Sequence, residues 1–176
     1  HCPDHLLPEK MTPASERRRI VCLPTSQKNR KSWDLVTRFI TFAENMKQRT
    51  GDQYEYIVTG NLSDWGLPET NAVQFTGMID DLQSFLQTVR AVAMLSDKGY
   101  GFKTTIGDAI ANGAAVLAHP GLARRCPEFL AGAILPVDLG NLPSTLNWLE
   151  KWSPDNSLNG KLRQTSEKMM TRLSEK

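Results

Sequence analysis

The chain is poor in cysteine and histidine. Its three cysteines, Cys2, Cys22 and Cys126, are odd in number and far apart, so they form neither a disulfide framework nor a CxxC metal pair. The three histidines, His1, His5 and His119, are equally scattered, and no DxD pair of carboxylates is present; no metal is expected. No apolar run approaches the ~20 residues that a bilayer crossing needs, and no signal-peptide segment opens the chain. Charge of one sign is also scarce. Twenty-one Lys and Arg against 19 Asp and Glu leave a formal +2, too little to draw nucleic acid by electrostatics. No segment repeats at a fixed period or is low in complexity. These absences set the expectation of a cytoplasmic, reducing environment but name no activity.

What is present is a foldable chain. Its 176 residues, 40% hydrophobic and 23% charged, suit one core. Residues 1–17 carry Pro3, Pro8 and Pro13 without periodicity and read as a lead-in. Beyond them, short apolar runs predict strands over 19–23, 54–59, 72–75, 91–95, 115–118 and 133–137. Between these lie helical patterns over 32–51, 80–88, 103–112, 127–130 and 142–151. The first takes Ser32 as N-cap, Gly51 as C-cap, and Trp33, Val36, Ile40, Ala43 and Met46 as its apolar stripe. Tyr54, Tyr56, Trp33 and Trp65 read as core or strand aromatics. A further helix is expected in the tail, giving a lead-in at 1–17, a domain at 18–155 and a C-terminal helix at 156–176. Nearly all-apolar strands alternating with amphipathic helices predict an α/β fold, Rossmann-like and doubly wound. Its six-stranded, mostly parallel sheet carries helices on both faces, and ligands of such sheets sit outside the carboxyl ends of the strands.

The stretch 96–113, SDKGYGFKTTIGDAIANG, has the richest chemistry at such an end. Gly99 and Gly101 bracket Tyr100 and allow close backbone approach to a ligand. A helix starting at Lys103 or Thr104 offers free N–H groups and a positive dipole end to an anion, and Lys103 adds a full charge. Asp108 lies one turn further on the face of Thr104, where a carboxylate accepts from paired ribose hydroxyls. Glycines, lysine and acid together describe a nucleotide-diphosphate grip. The plainer alternatives are a turn, a surface lysine and a solvated helix acid.

The run 99–118, GYGFKTTIGDAIANGAAVLA, resembles the signature of the GT-B glycosyltransferases of group 1, or family 4-like, type. Gly99, Gly101, Lys103, Ala109, Ala111 and Gly113 match it. Thr105 stands where that family has a second lysine, Asp108 where it has glutamate, and Tyr100 where the commoner variant has another glutamate. The segments 20–39, 56–61 and 73–82 resemble, in order, the opening strand–loop–helix, the second strand and the turn beside the donor base.

The resemblance implies the donor-binding, C-terminal half of such an enzyme. That half holds a nucleotide-diphosphate sugar, while a separate N-terminal domain holds the acceptor, so the start at His1 and the length read as an excised half. Gly101, Phe102, Lys103, Thr104 and Lys28 would face the diphosphate, with no cofactor required. Asp108 would take the ribose, and Gly77, Met78 and Ile79 the base. Lys28 reads equally as part of a solvated basic loop, and His119 as a turn histidine or a group near the diphosphate. Tyr100 stands where a sugar contact would lie. The catalytic residues are not assigned. The basic residues Arg17–Arg19, Lys28, Arg30 and Lys31 form either a solvated face or a membrane-surface contact. Two other readings remain: a degenerate, non-catalytic interaction module, and half of a nucleotide-sugar 2-epimerase.

Overall fold

The structure, a computed structural model, describes residues 12–25, 30–62, 65–96, 98 and 103–153. Lys28, Gly99, Tyr100, Gly101, Phe102 and the tail helix expected over 156–176 lie outside the described residues.

Four-residue apolar runs make the centre of the sheet. Strands β1 (Ile20–Leu23), β4 (Ala91–Met94) and β5 (Ala115–Ala118) are buried at every position, as strands covered on both faces must be. With β2 (Glu55–Val58), β3 (Gln74–Phe75) and β6 (Ile134–Pro136) they form one sheet in the order β3-β2-β1-β4-β5-β6. Every pairing is parallel, so the sheet is more uniform than expected. Val21 sits opposite Tyr56 on one side and Ala91 on the other. The chain winds one way from β1 and the other way from β4, which makes the β1/β4 seam the switch point where doubly wound sheets open a crevice. Helix α1 (Arg30–Thr50) joins β1 to β2 and α3 (Thr104–Ala111) joins β4 to β5, and the right-handed rule for parallel crossovers assigns them to opposite faces.

Helix α1 starts at Arg30, so Ser32 lies inside its first turn rather than capping it. Gly51 ends it with φ +59, the left-handed conformation expected of a C-terminal glycine. The stripe Val36, Phe39, Ile40, Ala43 and Met46 is buried against the sheet, but Trp33 is 42% exposed, contrary to the sequence reading. The reason is length. A 21-residue helix runs about 31 Å and a four-residue strand about 13 Å, so the first turn overhangs the carboxyl edge. Tyr54, Tyr56 and Trp65 are buried as expected.

Helix α2 (Leu82–Thr88) is capped by Asp81, whose carboxylate accepts from Ser84 N–H at 2.9 Å. Helix α5 (Leu142–Lys151) has the bounds read from sequence. A four-residue helix, α4 (Pro120–Ala123), falls where only a turn was expected, because four residues carry no periodicity. Its signal was Pro120 at the first helical position.

Candidate functional site

The carboxyl ends of β1, β2 and β3 open onto a cleft of about 150 Å³. Pro24 and Thr25 follow β1, Thr59 and Gly60 follow β2, and Met78 and Ile79 follow β3. Leu82 of α2 and Thr105 of α3 complete it. Two of the three residues assigned to the base, Met78 and Ile79, therefore face the first turn of α3. Met78 is 63% exposed, an unusually open position for a large apolar side chain. Gly77 lines an adjoining open groove instead and is tied to the cleft by its carbonyl, which accepts from Gly60 N–H at 2.7 Å.

Lys103 immediately precedes α3 with extended backbone, half-buried, and its side chain caps nothing. Ile106 N–H in the first turn it opens donates back to Lys103 O at 2.9 Å, and that turn carries the positive end of the helix dipole. Thr104 is exposed there, beside Thr105 in the cleft wall. Asp108 lies one turn further in, half-buried, and is not part of that wall. The position of the resembled family's second lysine is thus the one that faces the cleft, and here it carries a neutral hydroxyl.

Sequence reasoning missed the network at the switch point. Asp34, in the first turn and a half of α1, accepts from Ser96 Oγ at 2.7 Å, Lys98 Nζ at 2.8 Å and Arg38 Nε at 3.1 Å. Ser96 Oγ in turn accepts from Lys98 N–H at 3.2 Å, fixing the first residues after β4 against α1. Residues 34 and 96 are far apart in the chain, and only the β1–β4 pairing brings them together. Burial alone would raise the Asp34 carboxyl, but hydrogen bonds from Lys98 and Ser96, with the charges of Arg38 and Lys98, outweigh it and hold it below the usual carboxylate range.

The sign of the pH dependence follows. A depressed carboxylate stabilises the fold above its unfolded value of about 3.9, and the contribution disappears as pH falls through the lower folded value. Asp34→Asn should cost about 1 kcal/mol at neutral pH, because two of its partners are well exposed. The gap to wild type in urea midpoint should close as pH drops below about 4. A gap that stays constant with pH would mean that the ion pairs contribute nothing.

His119 follows β5 and caps α4. Its Nδ1 accepts from Gly121 N–H at 3.0 Å, which leaves Nε2 to carry the proton. With Arg38, Val137, Asp138 and Leu139 it lines a second cleft, of about 260 Å³, at the ends of β4, β5 and β6.

The fold matches solved structures over most of its length. The HepE protein of Anabaena, in complex with UDP and glucose, matches at TM-score 0.61 and 16% identity over 93% of this chain and 50% of that one. An alpha-glucosyltransferase (AGT) in complex with UDP matches at TM-score 0.63 and 13% identity over 93% and 49%. A glycosyltransferase of Rickettsia africae matches at 0.53 and 16% over 75% and 37%. The likeness is one of fold. At these identities it carries no residue roles, and the chain spans about half the length of HepE and AGT. No family model and no curated protein sequence matches the chain.

Of the basic residues read as a solvated or membrane-surface face, Arg18, Arg19, Arg30 and Lys31 are exposed, Arg17 is not, and Lys28 lies outside the described residues. Arg17 is buried, Arg18 pairs with Glu55 and Arg19 with Glu150, each at 3.3–3.4 Å. Among the described residues no group of three or more His, Cys, Asp or Glu is placed to hold a metal ion, and no helix is long and apolar enough to cross a membrane.

Proposed function

We propose that the chain is the donor-nucleotide-binding half of a glycosyltransferase, holding a nucleotide-diphosphate sugar for transfer to an acceptor bound by a second domain of the same protein. One observation carries this reading: Met78 and Ile79 face the opening turn of α3 across a cleft at the carboxyl ends of β1–β3. Solved structures of this fold hold UDP. The base would lie against Met78 and Ile79, and the diphosphate on the α3 N-terminus with Lys103 and the loop containing Gly101 and Phe102. Asp108 would take the ribose from one turn inside the helix.

The α3 N-terminus and Lys103 stabilise negative charge at fixed positions, which is what the departing nucleotide diphosphate requires as the glycosidic bond breaks. No metal is needed for that step in this reading, and the protein would act in the cytoplasm, free or beside a membrane surface. Thr105 in the cleft wall favours one competing reading, a domain of this fold that has lost its donor site.

Titration with UDP, GDP and ADP decides between them. Binding is expected at or below about 1 mM, weakened about tenfold by Lys103→Ala and again by Asp108→Ala. Absence of binding by all three nucleotides would favour the decayed module, and wild-type affinity in both variants would remove the site assignment.

A further inference from the structure

The cleft lined by Arg38 and His119 lies on the other side of the switch point from the nucleotide cleft. The first cleft belongs to the ends of β1, β2 and β3, and the second to the ends of β4, β5 and β6. At about 260 Å³ the second is smaller than the roughly 300–1,000 Å³ of sites that bury a drug-sized ligand, and it suits a single ring.

Its polar groups are few and oriented. Arg38 binds Asp34 through Nε, and neither of its Nη groups donates to a described residue. His119, with Nδ1 occupied by Gly121 N–H, presents Nε2–H as a donor. Asp138 accepts from Gly140 N–H at 2.8 Å through Oδ1, leaving Oδ2 as an acceptor. Between them lie the aliphatic side chains of Leu95, Val137 and Leu139, of which Leu139 is 43% exposed.

The charge balance selects the ligand. Arg38 already faces Asp34, and the Asp138 carboxylate stands in the same cleft, so a phosphate or carboxylate gains little and is repelled by Asp138. An uncharged molecule that both donates and accepts hydrogen bonds around its rim, with C–H faces for the aliphatic wall, fits all three polar groups at once. We infer that this cleft binds one hexopyranose ring through Arg38, His119 and Asp138, with Leu139 packed on its face. The ring is either the sugar of the proposed donor or a separate saccharide. Only the first case rests on the nucleotide-binding reading.

The test is NMR of the 176-residue chain, following the Leu139 methyls and the His119 ring. Methyl α-D-glucopyranoside should shift both, with affinity on the order of 10 mM. Asp138→Ala and Leu139→Ala, both at exposed loop positions and read on the His119 ring, should each weaken it at least about fivefold and leave UDP affinity within about twofold of wild type. If UDP-glucose shifts the same signals and displaces the glucoside, the ring is the donor's own. If the glucoside still binds beside UDP-glucose, it is a separate saccharide. Glucoside shifts without any UDP binding would sink the nucleotide reading and leave this one standing. Unmoved Leu139 and His119 signals under both sugars, or variants that bind like wild type, would overturn the inference.

Discussion

Gly60→Ala is expected to destabilise the chain by at least about 3 kcal/mol, lowering its melting temperature by roughly 10 °C, and to disorder the cleft at the carboxyl ends of β1–β3. Gly60 adopts φ +107, a conformation that L side chains rarely take. A Cβ built there would lie 2.0 Å from the Thr25 carbonyl oxygen and 2.8 Å from its carbon. Those are backbone atoms of the chain leaving β1, and they cannot step aside as the end of a side chain can. Gly60 also donates to Gly77 O, so the residue joins the loops after β1, β2 and β3 at the point where the cleft forms.

Gly66→Ala separates strain from collision. Gly66 has φ +61 with nothing within 4 Å of its Cβ, so alanine there should cost only about 1 kcal/mol. Parallel urea melts read the difference, with UDP titration reporting on the cleft. If Gly60→Ala is no less stable than Gly66→Ala, the close approach of Thr25 does not constrain the fold.

The central strands were legible because burial on both faces leaves them no choice of composition. IVCL, AVAM and AVLA admit no polar residue, and β5 falls on the expected residues. The edge was less legible. Strand β3 is only Gln74–Phe75, both exposed, because a strand with one neighbour has less to bury. Trp33 fitted the helical period and still lies in the open, since periodicity gives a helix face but not the extent of the sheet beneath it.

The candidate site divides in the same way. The place of Met78 and Ile79 at the cleft was readable because they sit at a strand end in a local motif. The Asp34–Ser96–Lys98 network was not, because its members meet only through the pairing of β1 with β4. The second cleft has the same origin, drawing on α1 and the ends of β4, β5 and β6. Of its polar groups only His119 carried a signal in the sequence, as a lone histidine in a turn.

The other large effect is expected from Arg17, in the segment that read as a lead-in. Its guanidinium donates from Nε to Thr12 O at 3.0 Å, and from Nη1 to Leu86 O and Val89 O at 3.1 and 3.0 Å. Nη2 donates to Asn112 O at 2.6 Å. Leu86 and Val89 close α2 and Asn112 closes α3, so one cation satisfies the carbonyl ends of two helices, where the dipoles are negative. The residue is 5% exposed. Burial, with the like charge of Arg90 second, lowers its guanidinium to about 10, so it stays protonated at neutral pH. Arg17→Met keeps most of the aliphatic stem but strands three carbonyls in the interior, and should cost about 3 kcal/mol or more. Arg17→Lys keeps the charge on a single point and should recover only part of that, because an ammonium cannot span carbonyls from two helices as a planar fork does. Urea denaturation followed by circular dichroism measures both. A methionine variant within about 0.5 kcal/mol of wild type would show that the carbonyls find water instead and that Arg17 ties nothing. The expected ranking, wild type above lysine above methionine, makes the residues just before β1 a clasp on the ends of α2 and α3. One of those helices is α3, so the clasp holds, at its far end, the element whose first turn faces the proposed nucleotide cleft.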